Sequence, residues 1–433
     1  MPKYFLRIFG CSMNYADAAR IAAVLEKNGW EKTDKPEEAN AYFLITCAVK
    51  QKAEDKVFGY LKDLAKWKKE KPGRILGITG CMVRKTSNQS SDKRDRLLNR
   101  SPMLDSVWKI EDTAQLPALM GLQQKSSAEN IADYFHITPS FEGKSAALIP
   151  IMTGCDNFCT YCVVPFARGR EVSRSEKAIL TECKNAIKQG VKEITLLGQN
   201  VDSYQKQTGK FAQLLEKVAQ VKGLQRLRFT SSHPKDFNAG VIEVMRKYPN
   251  IEKHLHLPAQ HGDNEILRRM NRGYTSEEFL EKIKLLRKKI PSISITTDLI
   301  VGFPGESEAQ FKRLLKFYRE ANFDFCFFSK YSPRPETPAA KFPNQIPEKV
   351  KAERWRKLNS LVVKITKQKY VKLKGKTLEV LVEKCREGIC EGRSSEAYLV
   401  KFTGDAQLIR EIVKVKITQP REVELWGERK FVF

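Results

Sequence analysis

Three cysteines in one short segment are the most specific chemical signal in this sequence. They form the run Cys155-Asp-Asn-Phe-Cys159-Thr-Tyr-Cys162, here called the barrel triad, which directly follows a strand-like segment. Zinc sites usually pair two C-x-x-C knuckles and use four ligands, whereas a four-iron cluster is held by cysteine thiolates. The next cysteine, Cys183, lies inside a helical pattern, and we interpret it as a core residue. Three thiolates on a four-iron cluster leave one iron open to a small chelating molecule.

Three further cysteines each follow a strand-like segment in the first third of the chain. Cys11, Cys47 and Cys81, here called the sheet triad, come just after the segments 4–9, 41–46 and 74–79. Helical patterns separate these segments, which predicts parallel strands joined by crossover helices. Because the carboxyl ends of parallel strands meet at one edge of a sheet, we expect the three thiols to converge there. They favour an iron–sulfur cluster, and the alternative is three unrelated buried cysteines.

The middle of the chain alternates strand-like segments with helical patterns. The strand-like segments are 147–152, 193–198, 226–231, 254–258, 293–301 and 323–329. The helical patterns are 176–189, 211–221, 237–247, 276–289 and 306–321. Six β/α units predict a partial barrel with its site at the carboxyl ends of the strands.

Polar or glycine-rich residues follow several predicted strands of this barrel. As candidate contacts for a molecule on the open iron, we take Gln199, Asn200, Ser231, Ser232, His233, Gln260, Gly302, Gly305 and Glu306. The two glycines permit close approach of the backbone. Just past the barrel triad, Arg168, Arg170 and Arg174 either meet substrate phosphates or form a solvated face, and the sequence leaves both interpretations open.

The charge balance of the chain is strongly positive. Its 433 residues include 77 Lys and Arg against 51 Asp and Glu, a formal net charge of +26. This surplus indicates a polyanionic partner, with nucleic acid ahead of a membrane surface; the alternative is a solubilising surface. Residues 351–376 predict a basic helix beside a small β-rich module. The strand-like segments of that module predict an OB-like barrel, a common RNA-binding architecture, and are 377–383, 397–402, 411–417 and 422–426.

The apolar pattern and the cysteines bear on location and domain organisation. No apolar run reaches the roughly 18 residues of a membrane span, and the N-terminus has no signal-peptide pattern. We therefore expect a cytoplasmic protein whose cysteines are ligands, catalytic groups or core residues rather than disulfides. Cys385 and Cys390 are interpreted as incidental. An exposed loop is expected at 84–101 and a linker within 121–147, and the expected domains are 1–125, 141–370 and 371–433.

Nine stretches of the chain together carry a family resemblance. They are GCSMN (10–14), TCAVKQKAEDKVF (46–58), GCM (80–82), GCDNFCTYCVVPFARGREVSR (154–174), LLGQNVDSY (196–204), SSHP (231–234), LHLPAQ (255–260), MNRGYT (270–275) and TTDLIVGFPGESE (296–308). They resemble the methylthiotransferases, a family of radical S-adenosylmethionine enzymes, and look closest to the branch acting on N6-dimethylallyladenosine in tRNA. The family combines an N-terminal parallel α/β cluster domain, a partial radical S-adenosylmethionine barrel and a small C-terminal β-barrel, the TRAM domain.

The resemblance implies two [4Fe-4S] clusters, a catalytic one on the barrel triad and an auxiliary, sulfur-supplying one on the sheet triad. S-adenosylmethionine would serve as radical source and methyl donor, and an external donor would supply single electrons. The target would be C2 of the modified adenosine beside the anticodon of tRNA, a base splayed out of its loop. The TRAM-like module and the basic helix would grip the RNA backbone of a tRNA bound to a monomeric enzyme.

The sequence departs from the family pattern at three places near the expected site. Ser12 stands where the family usually has Gln, Ile45 where it has Asn, and His261-Gly-Asp263 where it has Ser-Gly-Ser. These departures leave the chemistry in place and bear on fine substrate choice. The alternatives are a sister enzyme acting on threonylcarbamoyladenosine in tRNA, one acting on a ribosomal protein, and a non-catalytic RNA-binding iron–sulfur protein. The last has no need of the open-site cysteine spacing.

Overall fold

Three β-structures follow one another along the chain: a parallel sheet, a partial barrel and a closed barrel. The structure, a computed structural model, describes residues 1–48, 51–83, 101–120, 131–207, 209–422 and 424–430. The loop predicted at 84–101 lies, except for Ser101, outside the described residues. The first part of the predicted linker also lies outside them.

The first sheet has five parallel strands in the order β2-β1-β3-β4-β5. The strands are β1 Lys3–Ile8, β2 Glu31–Lys32, β3 Ala41–Thr46, β4 Ile75–Gly80 and β5 Ser106–Val107. The helices of this part are α1 Ser12–Lys27, α2 Gln51–Glu70, α3 Leu116–Leu119 and α4 Ile131–His136. Phe43 packs in the core on the α1 side and Leu44 in the core on the α2 side. Because both faces of β3 are covered, its sequence is continuously apolar rather than alternating.

The partial barrel is built from six parallel strands, and a short antiparallel pair, β7 and β8, flanks the barrel triad. The strands are β6 Ala146–Pro150, β7 Met152–Thr153, β8 Val172–Ser173, β9 Glu193–Leu197, β10 Arg226–Phe229, β11 His254–His256, β12 Ser294–Val301 and β13 Phe325–Lys330. The helices are α5 Val164–Arg168, α6 Glu176–Lys188, α7 Lys210–Ala219, α8 Ala239–Lys247, α9 Asn264–Arg269, α10 Ser276–Lys289 and α11 Glu308–Ala321. The six predicted strands and five predicted helices are confirmed, with ends that differ by at most about two residues.

A long helix, α12 Glu348–Val371, leads into a closed five-stranded barrel of order β14-β15-β16-β18-β17. Its strands are β14 Thr377–Arg386, β15 Ile389–Ser394, β16 Leu399–Thr403, β17 Ile412–Pro420 and β18 Leu425–Arg429. The predicted small barrel is confirmed, but β15 was missing from the prediction because its sequence, ICEGRS, is polar and contains glycine. None of the helices that the structure describes, α12 included, has the length and apolar character of a membrane span.

Two cysteines of the closed barrel are joined in a way that the sequence did not predict. Cys385 on β14 and Cys390 on β15 lie opposite each other in the hairpin register, and they form a disulfide with their Cα atoms 4.0 Å apart. Interpreting them as incidental was therefore wrong, as was the expectation of no disulfides. A separation of five residues along the chain becomes direct contact because the hairpin turn reverses the strand between them.

The closed barrel packs against the amino ends of the partial barrel. Arg226, the first residue of β10, donates hydrogen bonds to the carbonyl oxygens of Glu379 and Arg393 at 2.8 and 3.0 Å. Arg228 donates to the carbonyl oxygen of Ser394 at 2.6 Å. The closed barrel and the carboxyl ends of the β6–β13 strands are therefore at opposite ends of the partial barrel.

Candidate active site at the carboxyl ends of the partial barrel

The barrel triad lies on a tight loop between β7 and α5. The loop is closed by backbone hydrogen bonds, including one from Cys162 N to Cys159 O at 2.9 Å, and Val164 N lies 3.5 Å from the Cys162 sulfur. Burial, with a contribution from a charge on Cys159, raises the pKa of the Cys155 thiol to about 11 and that of Cys162 to about 12. A metal that binds Cys155 and Cys162 must therefore displace their protons.

Arg272 supplies a positive charge to this loop. Its side chain is buried and donates to the carbonyl oxygen of Pro258 at 2.6 Å, with a second nitrogen 3.4 Å from the Cys159 sulfur. A guanidinium beside thiolates offsets their negative charge in a low-dielectric site. The sequence analysis did not single out Arg272. The signal that could have indicated it was the family-like stretch MNRGYT (270–275), which contains this arginine and follows a short helix.

Most polar residues predicted as small-molecule contacts lie at the strand ends, around the barrel triad. Ser231 and Gln260 have left-handed backbone conformations, with φ of 67° and 68°, a strain that clusters at functional sites. Several buried polar atoms of this rim have no hydrogen-bond partner: Gln199 Oε1, Asn200 Oδ1, His233 Nε2 and Glu171 Oε1. Such atoms destabilise a fold unless a ligand or water pairs with them. This set fits a molecule with amine and hydroxyl groups, as S-adenosylmethionine has.

In the loop from Gly302 to Glu306, the predicted residues contact other parts of the chain. Glu306 is fully buried and accepts from the backbone N of Gly302 at 2.6 Å, while its other oxygen lies 3.0 Å from Arg354 of α12. A Cβ atom on Gly302 would clash with the side chain of Lys351. The carboxylate therefore shapes the loop, and the glycine makes room for α12. Direct contact of these residues with a cofactor stays a prediction.

The sheet triad lies beside the barrel triad. Cys81 packs in a small cluster with Val163 and Ala167, directly after the barrel cysteines. Cys11 is the N-cap residue of α1, and a Cβ atom on its neighbour Gly10 would lie 2.8 Å from the Cβ atom of Cys47. Burial and a charge on Cys81 raise the pKa of Cys11, while Arg168 opposes the rise. The strand ends thus bring these three cysteines into one region, as their positions after β1, β3 and β4 predicted.

The described residues contain no group of three His, Cys, Asp or Glu side chains arranged around a single metal ion. The geometry of an iron–sulfur cluster is different, because each thiolate binds a different iron atom and the sulfur atoms stand apart. Each triad offers three cysteine thiols, which is the donor type that holds an iron–sulfur cluster.

Buried ion pairs join the first sheet to the barrel. Arg168 contacts Asp17 of α1 at 2.6 Å, and Arg174 contacts Glu182 at 2.7 Å, with Arg20 on the same carboxylate at 2.9 Å. For Arg168 and Arg174, both predicted interpretations, phosphate contact and solvated face, are therefore wrong. Asp17 is 151 residues from Arg168, too distant in sequence for this pair to be predicted. Arg170 is exposed, with its guanidinium over the ring of Phe158.

The two residues that depart from the family pattern after β11, His261 and Asp263, contact neighbouring parts of the chain. Asp263 caps α9 by accepting from Ile266 N at 3.1 Å, and it pairs with Arg313. His261 is fully buried, with its Nε2 atom 3.6 Å from Glu306. Both residues therefore support the segments that surround the site.

Asp202 is expected to make the stability of the fold depend on pH. Burial raises its pKa from 3.8 to about 7. Because the folded pKa lies above the unfolded one, this carboxyl destabilises the fold by about 1.4 kcal/mol for each pH unit between the two values. The effect is absent below about pH 4 and constant above pH 7. Asp202→Asn keeps an oxygen that accepts a hydrogen bond from His233 N but has no carboxyl to titrate. Its free energy of unfolding should therefore exceed that of the wild type by more at pH 8 than at pH 5. Thermal unfolding at both pH values tests this, and an equal difference at both would contradict it.

Comparison with known proteins gives two family matches. Residues 149–318 match the radical SAM superfamily, and residues 3–100 match the uncharacterized protein family UPF0004. Among solved structures, the radical S-adenosylmethionine methyltransferase TsrM from Kitasatospora setae aligns with a TM-score of 0.57 and 13% identity, covering 78% of this chain and 77% of that one. The cobalamin-dependent radical enzyme OxsB aligns with a TM-score of 0.54 and 13% identity, covering 83% of this chain and 56% of that one. At these identities the likeness concerns the fold alone.

Similarity over nearly the whole chain is found with curated tRNA-2-methylthio-N(6)-dimethylallyladenosine synthases. The chain is 40% identical to that of Halalkalibacterium halodurans, with 98% of this chain and 81% of that protein covered. It is 41% identical to that of Desulforamulus reducens, with 98% and 95% covered, and 38% identical to that of Bacillus subtilis, with 98% and 85% covered. The chain therefore belongs to the family of the tRNA-2-methylthio-N(6)-dimethylallyladenosine synthases, which contains a radical SAM domain and its [4Fe-4S] cluster.

Proposed function

We propose that this protein adds a methylthio group to C2 of N6-dimethylallyladenosine beside the anticodon of tRNA. The observation that carries the proposal is the juxtaposition of the two cysteine triads, with Cys81 packed on the segment that follows the barrel triad. Radical formation and sulfur delivery require two metal-binding sites that open on one chamber. The proposed domains are 1–125 for the auxiliary cluster, 141–370 for radical formation and 371–433 for RNA contact.

In this proposal, the barrel triad holds a [4Fe-4S] cluster with an open iron, and the sheet triad holds a second one. When bound, the first cluster and S-adenosylmethionine supply one-electron cleavage to a 5′-deoxyadenosyl radical. Gln199, Asn200 and His233 carry the unpartnered polar atoms that would orient S-adenosylmethionine. In the net reaction the C2–H bond would break and a C2–S bond would form with sulfide-level sulfur supplied at the sheet triad. The hydrogen would leave on 5′-deoxyadenosine with release of methionine, and the methyl group would come from a second S-adenosylmethionine with release of S-adenosylhomocysteine. The electron used in the cleavage would be returned when the C2–S bond forms.

The residues around the two triads would position these groups and exclude water. Arg272 holds the barrel triad against Pro258, and Arg168 presents a buried charge to the sheet triad while its pair with Asp17 joins the sheet to the barrel. Burial of both arginines keeps solvent away from reactive intermediates. We further propose a monomer in the cytoplasm that receives electrons from an external protein donor.

Fewer cations of α12 are free to contact RNA than the sequence predicted. Lys351 donates to the Tyr331 carbonyl oxygen, Arg354 pairs with Glu306, and Lys369 pairs with Asp324, so three of its cations serve inside the protein. Lys364 and Lys367 are exposed. Exposed cations of this kind would be available to contact phosphates.

Replacing the two exposed lysines with Glu (Lys364→Glu with Lys367→Glu) should weaken tRNA binding by about 10-fold or more at low salt. Binding that makes fewer phosphate contacts releases fewer counterions, so the dependence of affinity on salt concentration should also become shallower. The measurement is tRNA affinity across a salt series. Lys184→Glu with Lys188→Glu on α6 is the charge-matched control. Equal losses in both double variants would mean that only net charge matters.

The reaction is tested by nucleoside mass analysis. The reconstituted enzyme, given S-adenosylmethionine and a reductant, is incubated with tRNA carrying either N6-dimethylallyladenosine or threonylcarbamoyladenosine. We expect the methylthio derivative of the first nucleoside only. A methylthio derivative of the second would support the sister activity. Cleavage of S-adenosylmethionine with neither product would contradict the proposed substrate, and no cleavage at all would favour a non-catalytic RNA-binding protein.

A further inference from the structure

One face of strands β11–β13 carries polar and aromatic side chains that the reaction described above leaves unassigned. Leu255, Leu299 and Cys326 point outward into the core formed with the surrounding helices. Because side chains alternate along a strand, their neighbours face the interior of the partial barrel. These inward residues are His256 on β11, Asp298 on β12, and Phe325 and Phe327 on β13.

The strand register brings these four residues together. His256 and Phe325 both pair with Thr296 of β12, and Asp298 pairs with Phe327. The Nε2 atom of His256 lies 3.3 Å from the Asp298 carboxylate, and its Nδ1 atom lies 3.0 Å from the hydroxyl of Thr296. The histidine is thus held on both sides, and it fixes the position of the carboxylate.

Phe327 is unusually accessible for a barrel residue. Its side chain is 54% exposed, and the side chain of Asp298 next to it is 39% exposed. Phe325 and His256 approach the Phe327 ring at interplanar angles of 76° and 73°, with centroids 5.1 and 5.9 Å away. Both contacts are edge-to-face, so neither neighbour stacks flat on the ring.

The segment that follows His256 leads to the barrel triad. Pro258 follows His256 by two residues, a distance of roughly 7 Å along an extended chain. The carbonyl oxygen of Pro258 accepts from Arg272, which also reaches the Cys159 sulfur. His256 of this group is therefore connected to the barrel triad through Pro258 and Arg272.

We infer that Phe327, Phe325, His256 and Asp298 form the pocket that receives the target base and selects its N6 substituent. The inference rests on the proposed function and adds a recognition site to it. An aromatic face stacks on a splayed-out base. A carboxylate accepts from the N6–H group and repels an anionic substituent. The two phenylalanines offer apolar surface to a dimethylallyl group, whereas Asp298 opposes the carboxylate of a threonylcarbamoyl group.

Binding measurements test this pocket without requiring turnover. The reconstituted full chain is titrated with anticodon stem-loop RNAs that carry adenosine, N6-dimethylallyladenosine or threonylcarbamoyladenosine. Phe327→Ala should weaken binding of the dimethylallyl RNA by about 5-fold or more, the lower end of one base–aromatic stack. Phe327→Tyr should restore most of that loss. Asp298→Asn should reduce the discrimination against the threonylcarbamoyl RNA.

The control variant changes an exposed apolar side chain that is not part of the proposed pocket. Leu285→Ala on α10 removes another exposed apolar side chain, 38% accessible and on a helix outside the proposed pocket, and should leave all three affinities unchanged. If the wild type makes the methylthio product but Phe327→Ala and Asp298→Asn keep its affinity ratios, the pocket assignment alone is overturned. If the wild type makes no methylthio product, the proposed function falls, and the pocket assignment falls with it.

Discussion

Replacing Cys155, Cys159 and Cys162 together with Ala is expected to abolish reductive cleavage of S-adenosylmethionine and to leave one four-iron cluster. Only these three thiols hold the cluster with the open iron in the proposed mechanism, so their loss removes radical formation rather than slowing it. The remaining cluster should persist because the sheet triad lies on other elements, at the ends of β1, β3 and β4. Iron and sulfide content after anaerobic reconstitution, together with assay of 5′-deoxyadenosine, measures both effects.

The reciprocal variant separates the two sites. Replacement of Cys11, Cys47 and Cys81 with Ala should also leave one cluster, but 5′-deoxyadenosine should still form while the methylthio product disappears. Cys326→Ala, which changes a cysteine buried in the hydrophobic core, should keep both clusters. Loss of both clusters, or of neither, in the two triple variants would contradict the assignment of one cluster to each triad.

Glu182→Ala is expected to destabilise the protein by about 3–5 kcal/mol, because it leaves two buried guanidiniums without their carboxylate. Arg20 and Arg174 contact this side chain at 2.9 and 2.7 Å, and all three groups are at most 4% exposed. The pair with Arg20 joins α1 of the first sheet to α6 of the barrel. We therefore expect loss of methylthio transfer to exceed loss of S-adenosylmethionine cleavage.

The control for this variant lies on the same helix. Glu176 pairs with Lys217 at 2.7 Å, but the two side chains are 36% and 51% exposed. Glu176→Ala should therefore cost about 0.5 kcal/mol or less, as exposed ion pairs do. Urea denaturation of the two variants measures the difference. Similar free energies of unfolding for both variants would show that the buried ion pair does not stabilise the contact between the first sheet and the partial barrel.

The positions of the cysteines could be predicted because they depend on short-range sequence patterns. Alternating strands and helices imply parallel strands, and parallel strands bring Cys11, Cys47 and Cys81 to one edge. The same reasoning located Asn200 and His233 at the rim of the barrel. In each case, the residue lies within a few positions of the strand that carries it.

Contacts between distant parts of the chain could not be predicted. Arg168 and Asp17 are 151 residues apart, and Arg354 and Glu306 are 48 apart. A basic residue in a sequence looks the same whether it meets RNA or a buried carboxylate. For this reason, cations counted toward an RNA surface proved to stabilise the site from within.

The most direct test of the central claim follows one hydrogen atom. The reconstituted enzyme is given tRNA whose target N6-dimethylallyladenosine carries deuterium at C2, and both products are analysed by mass spectrometry. The account predicts that deuterium appears in 5′-deoxyadenosine and that the same tRNA gains a methylthio group at C2. Formation of 5′-deoxyadenosine without deuterium and without a methylthio nucleoside would contradict it.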